Sequence, residues 1–284
     1  MSYRSIASAG GARKRLGSYE FSAANVSAES VGRDIDPVIA IDHFHIRAPT
    51  FAPHPHAGFS AVTYLFEDGE GEFINRDSLG DRIVARPGAV IWTVTGSGVL
   101  HEEFPRVRGT LSHGLQVFVN LAAAEKMQAP HVLFVDGPDV PVFERAGARV
   151  RVMAGTSGDV RGKLAPPGDV TFLDVKLEPG AAFEQAFPAD RSVLAYVIDG
   201  GVLVGGETRR LGALEAASFA ADGDSVLLRA TAEGAHVVLI AGRPLREPVI
   251  QYGPFVMNSE EQIASAIERY RAGRMGRLAP TTDI

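Results

Sequence analysis

The 284-residue sequence contains no cysteine, which excludes disulfides and thiolate metal ligands. Any bound metal ion must therefore be held by histidine or carboxylate side chains. The sequence also lacks an excess of basic residues, since its formal net charge is -6 at pH 7. General affinity for nucleic acid or for anionic membranes requires a basic surface, so we expect neither.

Long apolar runs are absent as well. No uninterrupted run approaches the roughly 18 residues that a membrane-spanning helix needs. Residues 1–16 carry basic side chains but no apolar segment of the kind found in secretory signals. We therefore expect a soluble, cytoplasmic protein that binds no membrane and no nucleic acid directly.

The first half of the sequence consists of short β-branched and aromatic runs between frequent turns. Residues 60–66, 90–94 and 115–121 are the clearest of these runs, and the chain contains 31 glycines and 17 prolines. Turn signals recur about every 10 residues, which is typical of an all-β sandwich or barrel rather than of alternating strands and helices.

The second half has a similar pattern. Residues 171–177 alternate between apolar and polar, as a half-buried strand does. Residues 194–198 and 202–204 flank Asp199-Gly200-Gly201, which predicts a tight hairpin. Residues 137–141 are the expected link between two β-rich units, and residues 155–168 are an expected loop.

One helix is predicted near the C-terminus. Ser259 and Gln262 have the spacing of a capping box. Ile263, Ala266, Ile267 and Tyr270 then recur on one helical face, and Gly273 is placed to end the helix. An amphipathic helix in a β protein must cover an apolar surface, so we expect it to pack against one of the two units.

Histidine is concentrated in the first half, where two short motifs stand out. In His54-Pro55-His56 and His101-Glu102-Glu103, the outer residues of each motif point to one face if the segments are strands. Two such pairs on neighbouring strands form a set of three imidazoles and one carboxylate. That set suits Fe(II), Mn(II), Ni(II), Zn(II) or Cu(II) and leaves coordination positions open for a substrate.

The remaining histidines have simpler interpretations. His43 and His45 form another His-x-His pair, which we interpret as support for the barrel rim. His113 heads an apolar strand and is interpreted as a structural residue that lies near the site at most. His131 and His236 are interpreted as structural.

Several longer motifs resemble signatures of the pirin family within the cupin superfamily. They are Asp42-His43-Phe44, HPHAGFSAVTYL (54–65), PGAVIWTVTGSGVLHEEFP (87–105), HGLQVFVNL (113–121) and AGRPLREPVIQYGPFVMNSEEQI (241–263). The resemblance extends from about Arg33 to the terminal helix.

The resemblance implies a fold, a domain division and a site. The fold is an all-β bicupin, with two tandem antiparallel β-barrels and a C-terminal helix. The expected segments are a metal-binding barrel (1–136), a barrel without metal (137–258) and a helix and tail packed on a barrel (259–284). The implied ligands of one metal ion, foremost Fe(II), are His54, His56, His101 and Glu103. Residues 184–187 occupy the first motif position of the second barrel and contain no histidine.

The resemblance leaves two main functions open. Family members have been linked to quercetin 2,3-dioxygenase activity, with a flavonol or other enediol as substrate. Others are linked to redox-dependent docking on transcriptional or metabolic partner proteins without catalysis. A hydrolase or isomerase that uses the ion only as a Lewis acid ranks last. Ser60 stands where many relatives carry glutamate, so Glu103 is the expected base as well as a ligand.

Overall fold

The computed structural model describes residues 2–14, 17–32, 35–205 and 209–281. Arg33, near which the family resemblance begins, and the last three residues of the expected tail lie outside these ranges. The strands of the first half are β1 (Ile6–Gly11), β2 (Arg13–Lys14), β3 (Phe21–Ser27), β4 (Val38–Ile46), β5 (His54–His56), β6 (Phe59–Leu65), β7 (Phe73–Asp77), β8 (Arg82–Ala85), β9 (Val90–Val94), β10 (Val99–Pro105), β11 (Ser112–Asn120) and β12 (His131–Val135).

Strands also dominate the second half. They are β13 (Val142–Arg145), β14 (Ala148–Ala154), β15 (Thr156–Ser157), β16 (Val160–Arg161), β17 (Thr171–Leu177), β18 (Ala182–Ala186), β19 (Ser192–Val204), β20 (Arg210–Gly212), β21 (Glu215–Phe219), β22 (Ser225–Gly242), β23 (Ile250–Tyr252) and β24 (Phe255–Met257). The helices are α1 (Ala28–Val31) and α2 (Glu260–Arg271), with a 3-10 turn at Gly137–Asp139. The predicted all-β fold is confirmed.

The chain forms two compact units whose segments interleave. The first unit comprises Lys14–Ala23, Val38–Asp139 and Leu245–Ile284, and the second comprises Met1–Arg13, Ala24–Pro37 and Val140–Pro244. This division differs from the three consecutive segments 1–136, 137–258 and 259–284 at both ends of the chain. The physical reason is strand pairing, because β1 pairs with β21 inside the second unit and the backbone N–H of Val256 donates to Ala57 O inside the first.

The core of the first unit lies between two sheets. One sheet contains β12-β9-β6-β11-β4 in that order, and the other has the order β5-β10-β7-β8. Phe44, Leu65 and Ile91 from the first sheet pack with Phe73 and Ala85 from the second. Apolar side chains on one face of each sheet therefore meet in one core, as the alternation within the strands requires.

The second unit has one large sheet whose strands contribute to a separate core. The order is β1-β21-β19-β22-β17-β14-β13, with β18 and β20 paired at its sides. The predicted hairpin at Asp199-Gly200-Gly201 is wrong, because β19 continues through these residues and pairs with β22 on both sides of them. The register shifts there instead, and Gly200 has a φ of 72°, so the glycines form a bulge rather than a turn.

The predicted C-terminal helix is present. The Ser259 hydroxyl accepts a hydrogen bond from the backbone N–H of Gln262, while the Gln262 side chain accepts from Asn258 N–H rather than from Ser259. Ile263 and Ala266 are buried in a cluster with Ala57 and Phe255 of the first unit. Gly273 follows the helix with a φ of 70°. Within the described ranges, no helix is long and apolar enough to cross a membrane.

Candidate metal centre

Strand register brings the two predicted motifs together. β5 pairs antiparallel with β10, with His101 opposite His54 and Val99 opposite His56. Residues two apart on a strand share a face, so the three histidines and Glu103 project to the same side of this four-stranded sheet. Pro55, between the two histidines of β5, projects to the other side.

The three imidazoles form a nearly equilateral triangle. Ring centroids are 4.8 Å apart for His54 and His56, 4.7 Å for His54 and His101, and 4.8 Å for His56 and His101. The ring planes are inclined to one another by 60° to 85°. One donor nitrogen from each ring lies within 4.8 Å of the other two, so one ion can be reached by all three.

Burial favours the neutral imidazole at His56 and at His101. Burial, and then the neighbouring His54, lower the pKa of His56 to about 3. Burial and the two other histidines lower the pKa of His101 well below its ordinary value. Neutral imidazole is the form that donates a lone pair to a metal ion.

Unsatisfied nitrogens in the triad fit a metal ion. Three buried ring nitrogens have no hydrogen-bond partner among the described residues: Nδ1 of His56 and both Nδ1 and Nε2 of His101. Nδ1 of His54 lies 3.0 Å from Ala52 O, which places the proton on Nδ1 and leaves the Nε2 lone pair available. Buried nitrogens without partners are costly, and a bound cation would satisfy one of them on each ring.

Glu103 is held beside the triad by two donors. The Thr63 hydroxyl donates to Glu103 Oε1 at 2.6 Å, and Asn75 Nδ2 donates to the same oxygen at 3.0 Å. Within the described part of the chain, Oε2 accepts no hydrogen bond. Burial raises the pKa of Glu103, while Thr63, Asn75 and the nearby His54 lower it. Glu103 lies outside the close group of three histidines.

The residues that position Glu103 were not predicted from the sequence. Asn75 lies opposite Glu103 in the register of β7 and β10, and Gln116 lies opposite Thr63 in that of β6 and β11. The Thr63 hydroxyl is 3.0 Å from the terminal amide of Gln116. The near atom is Oε1 of Gln116, which is an acceptor, so Glu103 and Gln116 compete for the single proton of the Thr63 hydroxyl. Only strand register relates these four residues.

Two phenylalanines enclose the buried side of the triad. The ring of Phe59 lies 5.2 Å from that of His56, and the ring of Phe118 lies 6.1 Å from it. The two phenylalanine rings meet edge to face at 5.3 Å. Phe44 and Trp92 are buried, and Phe44 packs in the core of the first unit.

Ser60 does not lie on the metal side of its strand. Phe59 and Thr63 of β6 project toward His56 and Glu103, so Ser60 projects to the opposite face. Its side chain is buried there. The missing carboxylate at this position therefore takes no part in the arrangement of the triad and Glu103.

A buried lysine anchors the segment that follows His56. Lys126 Nζ donates to Gly58 O at 2.7 Å, to Asn120 Oδ1 at 2.5 Å and to Val256 O at 3.2 Å. Burial lowers the pKa of Lys126 to about 8. The three acceptors match the three protons of an ammonium group, so the charged lysine clamps the loop after His56 to the C-terminal segment.

Two β-rich units with separate cores, one of which holds a convergent histidine triad, define a bicupin. Residues 16–119 match the pirin family, and residues 172–276 match the pirin C-terminal cupin domain. The chain is 36% identical to human pirin over 254 residues, which cover 87% of each protein. The chain belongs to the pirin family.

Other relatives carry names that indicate an activity. The chain is 36% identical to a putative quercetin 2,3-dioxygenase of Pseudomonas aeruginosa, covering 84% of this chain and 86% of that protein. The structure of a quercetin 2,3-dioxygenase from Acinetobacter baumannii superposes with a TM-score of 0.86 at 29% identity, covering 97% and 99% of the two chains. The Escherichia coli pirin YhhW in complex with nickel(II) has a TM-score of 0.65 at 18% identity, covering 83% and 98%, and shows a shared fold.

Proposed function

We propose that this chain is a metal-dependent dioxygenase acting on a flavonol such as quercetin or on a similar enediol. His54, His56, His101 and Glu103 hold one transition metal ion, Fe(II) before Ni(II), Mn(II), Zn(II) or Cu(II). The observation that carries the proposal is the convergence of three imidazoles, of which the buried His56 and His101 have ring nitrogens without hydrogen-bond partners among the described residues. The names of the relatives support the choice of reaction.

Residues around the site have separate roles in the proposed reaction. A metal ion in this site would supply Lewis-acid and redox chemistry. Glu103 accepts the proton of the substrate hydroxyl at Oε2, the oxygen without a hydrogen bond, and burial raises its pKa, which favours uptake of a proton. Thr63 and Asn75 keep Oε1 in place during this transfer. Phe59 and Phe118 exclude water from the buried side.

The open side of the site is next to His54. This side chain is only partly buried, and the ring of Phe51 lies 6.2 Å from it. Phe51 is 49% exposed and offers an apolar surface to an aromatic substrate. A planar flavonol therefore approaches across Phe51 with its hydroxyl groups toward the triad.

Aerobic incubation with quercetin tests the activity. Protein loaded with Fe(II), Ni(II) or Mn(II) should consume quercetin and release CO, and Glu103→Gln should lose turnover while it still folds. Glu102→Gln is the matched control, because Glu102 projects to the other face and pairs with Arg76 at 2.5 Å. No quercetin loss with any of these metals would refute the proposed substrate.

The same experiment separates the non-catalytic alternative from the enzyme. A chain that binds iron through the triad but turns over no flavonol would fit the redox-dependent docking protein expected as the second function. Pull-downs from the native cell with Fe(II)- and Fe(III)-loaded protein then test the docking function. If both forms retain no partner protein, the docking function is contradicted. The cytoplasmic location expected from the sequence stays a prediction.

A further inference from the structure

A second group of three histidines lies in the first unit. β4 pairs with β11 so that His45 lies opposite His113, and His43 shares the face of His45 because it is two residues away. One donor nitrogen from each of His43, His45 and His113 lies within 4.8 Å of the other two. His43 and His113 are buried, whereas His45 is exposed.

This group is separate from the triad on β5 and β10. Gln116 and Phe118 of β11 face the triad, because Gln116 contacts Thr63 and Phe118 lies beside His56. The register of β11 with β4 is regular from Ser112 to Phe118, so His113 projects to the opposite face. The five residue steps along the strand from His113 to Phe118 span about 17 Å.

Asp68 fixes the tautomer of His113 that leaves Nε2 available to a metal ion. Nδ1 of His113 donates to the Asp68 carboxylate, at 2.9 Å from Oδ1 and 2.8 Å from Oδ2. The lone pair of His113 is therefore on Nε2, which lies 2.7 Å from Nε2 of His43. A carboxylate that fixes the far nitrogen of an imidazole is the usual support of metal-binding histidines.

We propose that His43, His45 and His113 bind a second divalent cation of the zinc class, oriented by Asp68 and completed by a solvent ligand. Three imidazoles with one open position suit tetrahedral Zn2+, and Ni2+ or Cu2+ also accept imidazole. Nothing in this site depends on the proposed dioxygenase activity.

Small movements convert the group into a coordination site. Tetrahedral ligands about 2.0 Å from zinc are about 3.3 Å apart, so the contact between His43 and His113 must open by roughly 0.6 Å. His43 then carries its proton on Nδ1 instead of Nε2, and no proton is lost. The ring of His45 stacks on His113 with centroids 4.3 Å apart, and its exposure lets it turn a nitrogen toward the pair.

Metal stoichiometry tests the second site. Metal-free protein titrated with Zn2+ against a chromophoric chelator should bind two equivalents per chain. His45→Asn should bind one, and Asp68→Asn should bind its second equivalent about 10–100-fold more weakly, because the support of His113 is lost. Long-range proton–nitrogen spectra of the histidine rings should show the second equivalent shifting Nε2 of His113.

Two control variants match these changes. His131→Asn removes an exposed histidine outside both groups, and Asp159→Asn removes an exposed carboxylate. Both should retain two equivalents, and circular dichroism confirms that all four variants fold. One equivalent in the wild-type chain that is retained in His45→Asn, or a second equivalent that survives unchanged in His45→Asn and Asp68→Asn, overturns the proposal. Neither result bears on quercetin turnover, which is measured separately.

Discussion

Replacing Thr63 by valine tests whether the position of Glu103 depends on its hydrogen bonds. The change keeps the shape of the side chain and removes one of the two donors to Glu103 Oε1, at 2.6 Å. A hydrogen bond to a charged group contributes about 1.5–3 kcal/mol. Loss of an outer partner of a metal ligand typically weakens metal binding about 10–100-fold, which is about 1.4–2.8 kcal/mol. The two magnitudes agree, so we expect Thr63→Val to bind Fe(II) or Ni(II) about 10–100-fold more weakly.

Competition with a chelator under anaerobic conditions measures this change for Fe(II). Thr93→Val is the matched control, because Thr93 lies on the neighbouring strand β9 and is equally buried. Its hydroxyl has no hydrogen-bond partner among the described residues, so its loss should leave metal affinity within about twofold and stability unchanged or higher. Equal affinities for Thr63→Val and the wild-type chain would show that Glu103 is not a ligand positioned by Thr63.

Three further predictions concern stability and the family pattern. Lys126→Met should lower the free energy of unfolding by about 1–3 kcal/mol, because buried acceptors lose their donor. Burial lowers the pKa of Lys126 to about 8, so between about pH 8 and 10.4 the unfolded chain binds more protons at this residue than the folded chain. The free energy of unfolding of the wild-type chain should therefore rise with pH over this range. Urea titrations should show that this rise is absent in Lys126→Met. Gly200→Ala should lower the melting temperature more than Gly180→Ala. Both glycines have a positive φ, but only at Gly200 would the added Cβ clash with a backbone atom, Gly234 O, at 2.3 Å. Equal melting temperatures of the two variants would contradict this. Ser60→Glu should leave metal affinity within about twofold, and a tenfold gain would place this residue on the metal side after all.

Strand positions and the histidine pairs could be predicted from the sequence because both depend on local spacing. β9 has the predicted bounds Val90–Val94, and His54 and His56 share a face because they are two residues apart on a strand. Two-residue periodicity operates within one strand and requires no knowledge of its neighbours.

Contacts that depend on register could not be read from the sequence. Asn75 and Thr63 meet at Glu103 only because β7 lies beside β10 and β6 lies on the facing sheet. His113 was interpreted as structural because it heads an apolar strand, and its contacts with His43 and Asp68, which are distant in the chain, could not be predicted. Asp199-Gly200-Gly201 was misjudged for a related reason, since pairing with β22 on both sides of the glycines favours a continuous strand over a turn.

The interleaving of the two units sets the order in which a nascent chain can be completed. The triad residues leave the ribosome early, but Ala57, next to His56, takes its backbone partners from Pro254 and Val256. The hydrogen bond from Lys126 Nζ to Val256 O likewise forms only after that late segment has been synthesised. The first unit is therefore complete only when nearly the whole chain has been made. A fragment cut at the link near residue 139 would keep every triad residue and lack the segment that secures them.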